Sequence, residues 1–220
     1  MRRVVHLSVV LIGLALPIGA QQVPLSDVSQ MEFIRGTGTA TAYHGSSALK
    51  MTGMKNTEGG ALAVLKKTHF RNGVIDVDVS GAPAKGAAED ARGFIGVAFR
   101  VQSAARYEIM YLRPTNARAD DQLRRNHTTQ YSAEPDWPWE RLRNESPGVY
   151  ESYADMLPGE WTHMRIVVQG KDASLYVGKA DQPCLVVHDL KLGEIEGSVA
   201  LWIGGDTEGY FRNLSISEKK

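Results

Sequence analysis

The sequence predicts an all-β protein, a two-layer antiparallel β-sandwich, and three observations carry that expectation. Short runs in which apolar and polar residues alternate recur from Met31 to the end of the chain, about a dozen in all. Gly and small polar residues punctuate them. No stretch of helical period exceeds about two turns.

The first residues have a different character. Arg2 and Arg3 form a basic end, 7–18 is an apolar run, and Ile18, Gly19 and Ala20 end in a small residue suited to cleavage. That layout predicts a signal peptide over 1–20, and the run is too short to span a membrane. No Cys follows it, so no lipid anchor is expected. The mature chain is then secreted or periplasmic. Residues 21–30 are polar and read as a leader, and 31–220 as one sandwich domain of a size such folds reach.

Charge excludes some partners. Lys plus Arg equals Asp plus Glu at 25 each, and without Arg2 and Arg3 the balance is 23 to 25. No long-range field is left to attract nucleic acid or an anionic membrane, so neither nucleic-acid binding nor membrane insertion is expected. The single Cys, Cys184, precludes an internal disulfide framework and leaves stability to the core. It lies in an apolar run and reads as an inert thiol.

The strand runs follow in order. MEFIRG (31–36), TATAY (39–43), SALKMTG (47–53) and GALAVLKK (60–67) come first. In FRNGVIDVDVSG (70–81), Ile75, Val77 and Val79 alternate with Asp76 and Asp78, which reads as a half-buried strand. Residues 82–91, rich in Ala, Gly and charge, read as a mobile loop. GFIGVAFRV (93–101) and RYEIMYLRP (106–114) read as a hairpin. Residues 115–160 break the rhythm as an insert rich in charge and Pro. It holds Tyr131, Trp137, Trp139, Tyr150 and Tyr153, more aromatics than a disordered linker carries. WTHMRIVVQG (161–170) turns through Gly170 and Lys171 into another strand. CLVVHDL (184–190), GSVALWIGG (197–205) and GYFRNLSIS (209–217) close the chain.

The hairpin carries the candidate site. Strand parity places Tyr107, Tyr111 and Arg113 on one face, with Arg100 beside Gly96 and Ala98 on the same side of the partner strand. Aromatic rings stack on the C–H faces of sugars and guanidinium forks bind hydroxyls or carboxylates. Tyr and Arg also suit ordinary strand surfaces. His127, Gln130 and Tyr131 would extend this face. Trp137-Pro138-Trp139 forms either a stiff aromatic rim or a pin holding the insert to the core.

The runs FRNGVIDVDV, GFIGVAFRV, YEIMYLRP, the hairpin 159–178 and the closing 197–216 together resemble the concanavalin A-like lectin/glucanase jelly roll. Within that superfamily the chain is most similar to laminin-G-like domains and to the bacterial domain related to 3-keto-disaccharide hydrolases. The resemblance covers about 31–217 and implies a curved sheet whose concave face binds carbohydrate. It also implies a structural Ca²⁺, with Asp206, Glu208 and carbonyls near Gly204 and Gly205 as candidate oxygens, and no other cofactor.

Three functional readings stand. The first is a carbohydrate-binding or carbohydrate-processing domain that uses the concave face. The second is a glycoside hydrolase or lyase with a carboxylate from 115–160, where Asp120, Asp121, Glu134, Asp136, Glu140, Glu145 and Glu151 supply candidates but no spacing selects a pair. Asp76-Val77-Asp78 lacks the two Glu of the glucanase strand motif. The third is a non-catalytic module with a protein partner. No nucleophile elbow, zinc-protease helix motif or phosphate loop appears.

Overall fold

The computed structural model describes residues 19–54 and 59–219, so most of the predicted signal peptide lies outside the described residues. Two antiparallel sheets lie face to face. The eight-stranded sheet runs β13 (Leu185–Val187), β12 (Asp172–Val177), β11 (Thr162–Gln169), β6 (Asn72–Pro83), β15 (Thr207–Lys219), β4 (Ser46–Gly53) and β3 (Gly36–Tyr43), with β1 (Gln21–Gln22) also on β15. The seven-stranded sheet runs β10 (Glu151–Ser152), β9 (Thr129–Glu134), β8 (Arg106–Leu112), β7 (Ile95–Ser103), β14 (Ser198–Ile203), β5 (Ala61–Leu65) and β2 (Met31–Ile34). This is the predicted all-β jelly-roll sandwich.

Alternation builds the core. Ile75, Val77 and Val79 of β6 meet Ile166 and Met164 of β11 in register and are buried with Phe211, Leu214 and Ile216 of β15. The seven-stranded sheet answers with Ile95, Val97 and Phe99, with Met110 and Leu112, and with Leu201 and Ile203. Asp76 and Asp78 face outward, as expected, paired with His163, Arg165 and Arg212. Gly170, at φ 60, makes the tight turn from β11 into β12 where a side chain would be strained.

Three segments differ from the expectation. The leader, read from sequence as polar and without periodicity, carries a short strand: Gln21 and Gln22 pair with Ile216 and Ser215, and Leu25 enters the core. The insert contains a sheet strand, β9, paired along its length with β8. Two short helices flank β9, α1 (Gln122–Asn126) and α2 (Trp139–Glu145). β7 carries a bulge between Phe99 and Ser103, with Arg100 at φ 51. The extra residue re-aims every side chain beyond it.

Candidate functional site

The outer face of the seven-stranded sheet is apolar, which is unusual for a face turned to water. Its cross-strand rows explain why. Leu62, Trp202, Gly96, Tyr111 and Gln130 lie side by side across five strands, and Val64, Ala200, Ala98, Ile109 and Ser132 form the next row. Gly96 and Ala98 of β7 are fully covered there, packed beneath the neighbouring side chains. A Cβ on Gly96 would sit 2.6 Å from the Tyr111 backbone, so the strands leave no room there for a larger residue.

Over this face opens a cavity of about 440 Å³. Tyr107, Tyr111, Trp202 and Phe94 line it below, and Trp139 and Glu140 of α2 close one side. The polar tips of two of these aromatics are already used. Tyr107 Oη and Trp202 Nε1 both donate to the Gly59 carbonyl, at 2.9 and 3.0 Å. Burial pushes the Tyr107 and Tyr111 hydroxyls up to about 12, so both stay neutral. Trp139 is the exposed ring of the set.

Glu134 gives the cavity its one partly buried acid. It pairs across from Tyr107 and accepts from Ser132 Oγ. Burial holds its carboxyl above the ordinary range, and the charge of Glu140 pushes the same way.

A second cavity, about 750 Å³, adjoins the first and shares Phe94, Trp139 and Gly205 with it. Arg113 stands at this neck. It donates to Tyr111 Oη at 3.0 Å, Gln130 Oε1 at 3.1 Å and the His127 carbonyl at 3.0 Å, and it lies over the Phe94, Tyr111 and Trp139 rings. Glu151 holds the wall together from behind. Its buried carboxylate takes Arg143 at 2.7 Å, His127 at 3.1 Å and Arg113 at 3.9 Å. Burial keeps His127 below its usual range, reinforced by Arg143 and Arg113 and opposed by Glu151.

The structure brings only part of the predicted set together. Tyr107, Tyr111 and Trp139 line the first cavity, and Arg113, His127 and Trp139 line the second. Gln130 is buried behind Arg113, bonded to it and to the Tyr150 carbonyl. Three residues lie elsewhere, against expectation. The bulge in β7 turns Arg100 inward, where it is fully buried and donates to the carbonyls of Arg71, Gly170 and Gly193. Tyr131 follows Gln130 on a strand and so points into the core, donating to Glu108 at 3.2 Å. Trp137 packs against the core under Arg141 and Lys191, 3.7 and 4.6 Å from its ring, and acts as the pin. Phe94 and Trp202 were not anticipated, and Glu134 stood only among the insert's seven acidic candidates. Parity alone would have put Trp202 outward once Leu201 was taken as core.

The acidic turn does not fit Ca²⁺. Glu208 is held by Lys50 at 2.6 Å and by Tyr210, while Asp206 lines the second cavity. Among the described residues no group of three or more His, Cys, Asp or Glu side chains could hold a metal ion. Burial pushes the Cys184 thiol up to about 11, away from nucleophilic chemistry. Among the described residues no helix is long and apolar enough to cross a membrane.

No family model and no curated protein match the chain. Solved structures do. A carbohydrate-binding module, CBM66 of Bacillus subtilis, superposes with a TM-score of 0.59 at 12% identity, covering 86% of this chain and 96% of that one. A proposed glycosyl hydrolase from Parabacteroides distasonis gives 0.59 at 14% identity, covering 90% and 100%. The exoplasmic/lumenal domain of VIP36, bound to Ca²⁺ and Man3GlcNAc, gives 0.54 at 11% identity, covering 90% and 86%. At such identities the likeness is one of fold alone, that of a two-sheet jelly-roll sandwich.

Proposed function

We propose that this is an exported carbohydrate-binding domain, secreted or periplasmic, whose glycan lies in the groove on the outer face of the seven-stranded sheet. One observation carries the reading: a cavity lined by the rings of Tyr107, Tyr111, Trp202, Phe94 and Trp139 on the outer face of a sheet, where polar side chains would be ordinary. Apolar rings fit the C–H faces of pyranoses, and a cavity of this size accepts one or two sugar units. Arg113, fixed by Tyr111 and Gln130, would orient a hydroxyl or carboxylate at the neck. The carbohydrate-binding name of one structural relative agrees with this use.

The test is a glycan array with the chain from Gln21 to Lys220, run beside Trp139→Ala. Binding to a defined sugar class that falls at least about tenfold in the variant supports the reading, since an exposed Trp at a binding site is worth more than about 1 kcal/mol. No binding by the folded protein would sink it and favour a protein partner.

A second reading, glycoside cleavage, has its own observation. Of the insert's acidic residues only Glu134 and Glu140 line the first cavity, and Glu134 is the one held toward its protonated form. A protonated carboxyl can give its proton to a leaving oxygen while a second carboxylate assists. Sugar release that vanishes in Glu134→Gln would establish it, and release that survives would remove Glu134 from any such role.

A further inference from the structure

The second cavity holds two arginines that no ion pair neutralises directly. Four guanidinium groups line it, Arg92, Arg113, Arg124 and Arg143, against Asp90, Asp121 and Asp206. Arg143 and Arg113 are accounted for by Glu151. Arg124 is not: it donates to Asn116 Oδ1 at 2.9 Å and to Thr115, all neutral acceptors. Arg92 is half-buried, and among the described residues its side chain makes no hydrogen bond or ion pair. The aspartates do not fill the gap. Asp121 caps α1 through the Arg124 N–H, and among the described residues Asp90 and Asp206 form no ion pair with either arginine, the charge of Asp90 acting on Arg92 only from farther off.

Such an arrangement costs energy in the free protein. Burial lowers the Arg92 pKa, the neighbouring charges of Arg124 and Arg113 add to that effect, and Asp90 opposes it without reversing it. An anionic oxygen placed between the guanidinium groups would reverse the sign of this interaction and gain charge-assisted, fork-shaped hydrogen bonds. The ligand that enters must also continue from the aromatic cavity, because Phe94, Trp139 and Gly205 belong to both.

We propose that the groove takes an acidic glycan, with one sugar ring on the aromatic floor and a carboxylate or sulfate of the adjoining unit held by Arg92 and Arg124. This rests on the glycan reading of the same groove. Selectivity for charge would then reside in the second cavity and affinity for the ring in the first.

The test uses glycan pairs that differ only in the anionic group: oligogalacturonate against its methyl ester, and a chondroitin oligosaccharide with and without sulfate. Titration calorimetry should show one acidic member binding at least about tenfold more tightly than its neutral partner. Arg92→Gln should abolish that preference while leaving the neutral member's affinity in place. The substitution orphans no partner, so folding is spared, and Arg124→Gln provides a second probe. Raising salt should weaken the acidic ligand selectively. Equal affinity within both pairs, or a preference that survives Arg92→Gln and Arg124→Gln, would overturn the acidic-glycan proposal and leave the glycan reading standing. Absence of binding to every glycan would overturn both.

Discussion

Arg100 and Arg113 sit in paired strands, and both were expected on one ligand-facing surface. They end in opposite situations. Arg100 is sealed inside the sandwich, its guanidinium consumed by three backbone carbonyls and, at 3.5 Å, by Glu108. Arg113 stands at the neck between two cavities, backed by Glu151 and braced by Tyr111 and Gln130. A single bulge separates the two outcomes. Where β7 keeps register, Gly96 and Ala98 face outward opposite Tyr111 and Ile109; past the bulge Arg100 joins the interior. Identical chemistry thus serves folding in one place and lines a cavity wall in the other, and the backbone decides which.

The sharpest way to break this comparison is Arg100→Ala. It strands the buried Glu108 carboxylate and three carbonyls, and should cost about 3–5 kcal/mol in urea unfolding. Ligand selectivity in whatever protein remains folded should not change. Arg113→Ala should cost less stability, because Glu151 keeps Arg143 and His127, and should weaken glycan binding. If Arg100→Ala altered binding as much as Arg113→Ala, the separation drawn between them would be wrong.

Gly96→Ala comes next. The added Cβ meets the Tyr111 backbone in the middle of a paired ladder, so a loss of about 1–3 kcal/mol is expected from thermal unfolding. Tyr111 would shift with it, and affinity should fall in parallel. Full retention of both would mean the strands can part there without consequence.

His127 provides the smallest effect. Its folded pKa lies below 6.5 while the unfolded imidazole titrates near that value, so the unfolded chain takes up the proton first. Stability is therefore complete above about pH 7 and falls modestly as pH drops through 6.5. His127→Gln should flatten that part of the profile. A wild-type profile flat from pH 7 to 5.5 would show that burial at the Glu151 wall does not penalise the charged ring.

Much of this was legible in the sequence, for a reason visible in β6 and β11: both alternate cleanly, and the period-two parity of a strand fixes which side faces the core. Tyr107 and Tyr111 were placed outward on that basis. The misplacements also have local causes. A bulge leaves no mark in an alternating pattern, so Arg100 was carried one residue too far. Gln130 and Tyr131 are neighbours and cannot share a face, yet in TQYSAE neither parity looked plainly apolar, and β9 itself passed for loop. Phe94 and Trp202 reach the site through the register of β14 on β7, which no single strand encodes. The arginine wall was hidden more deeply, because α1, α2 and the β7 approach meet only in space.

The four tryptophan indoles allow the central claim to be tested in one spectrum. Trp139 and Trp202 line the groove, Trp137 pins the insert to the core, and Trp161 lies beside Tyr43 and Arg212, outside both cavities. We would titrate the labelled protein with the best array glycan and follow the indole N–H resonances by NMR. The account predicts saturable shifts at Trp139 and Trp202, with Trp161 unmoved. Shifts confined to Trp161 would place the sugar against Tyr43 and Arg212, outside both cavities, and contradict the groove.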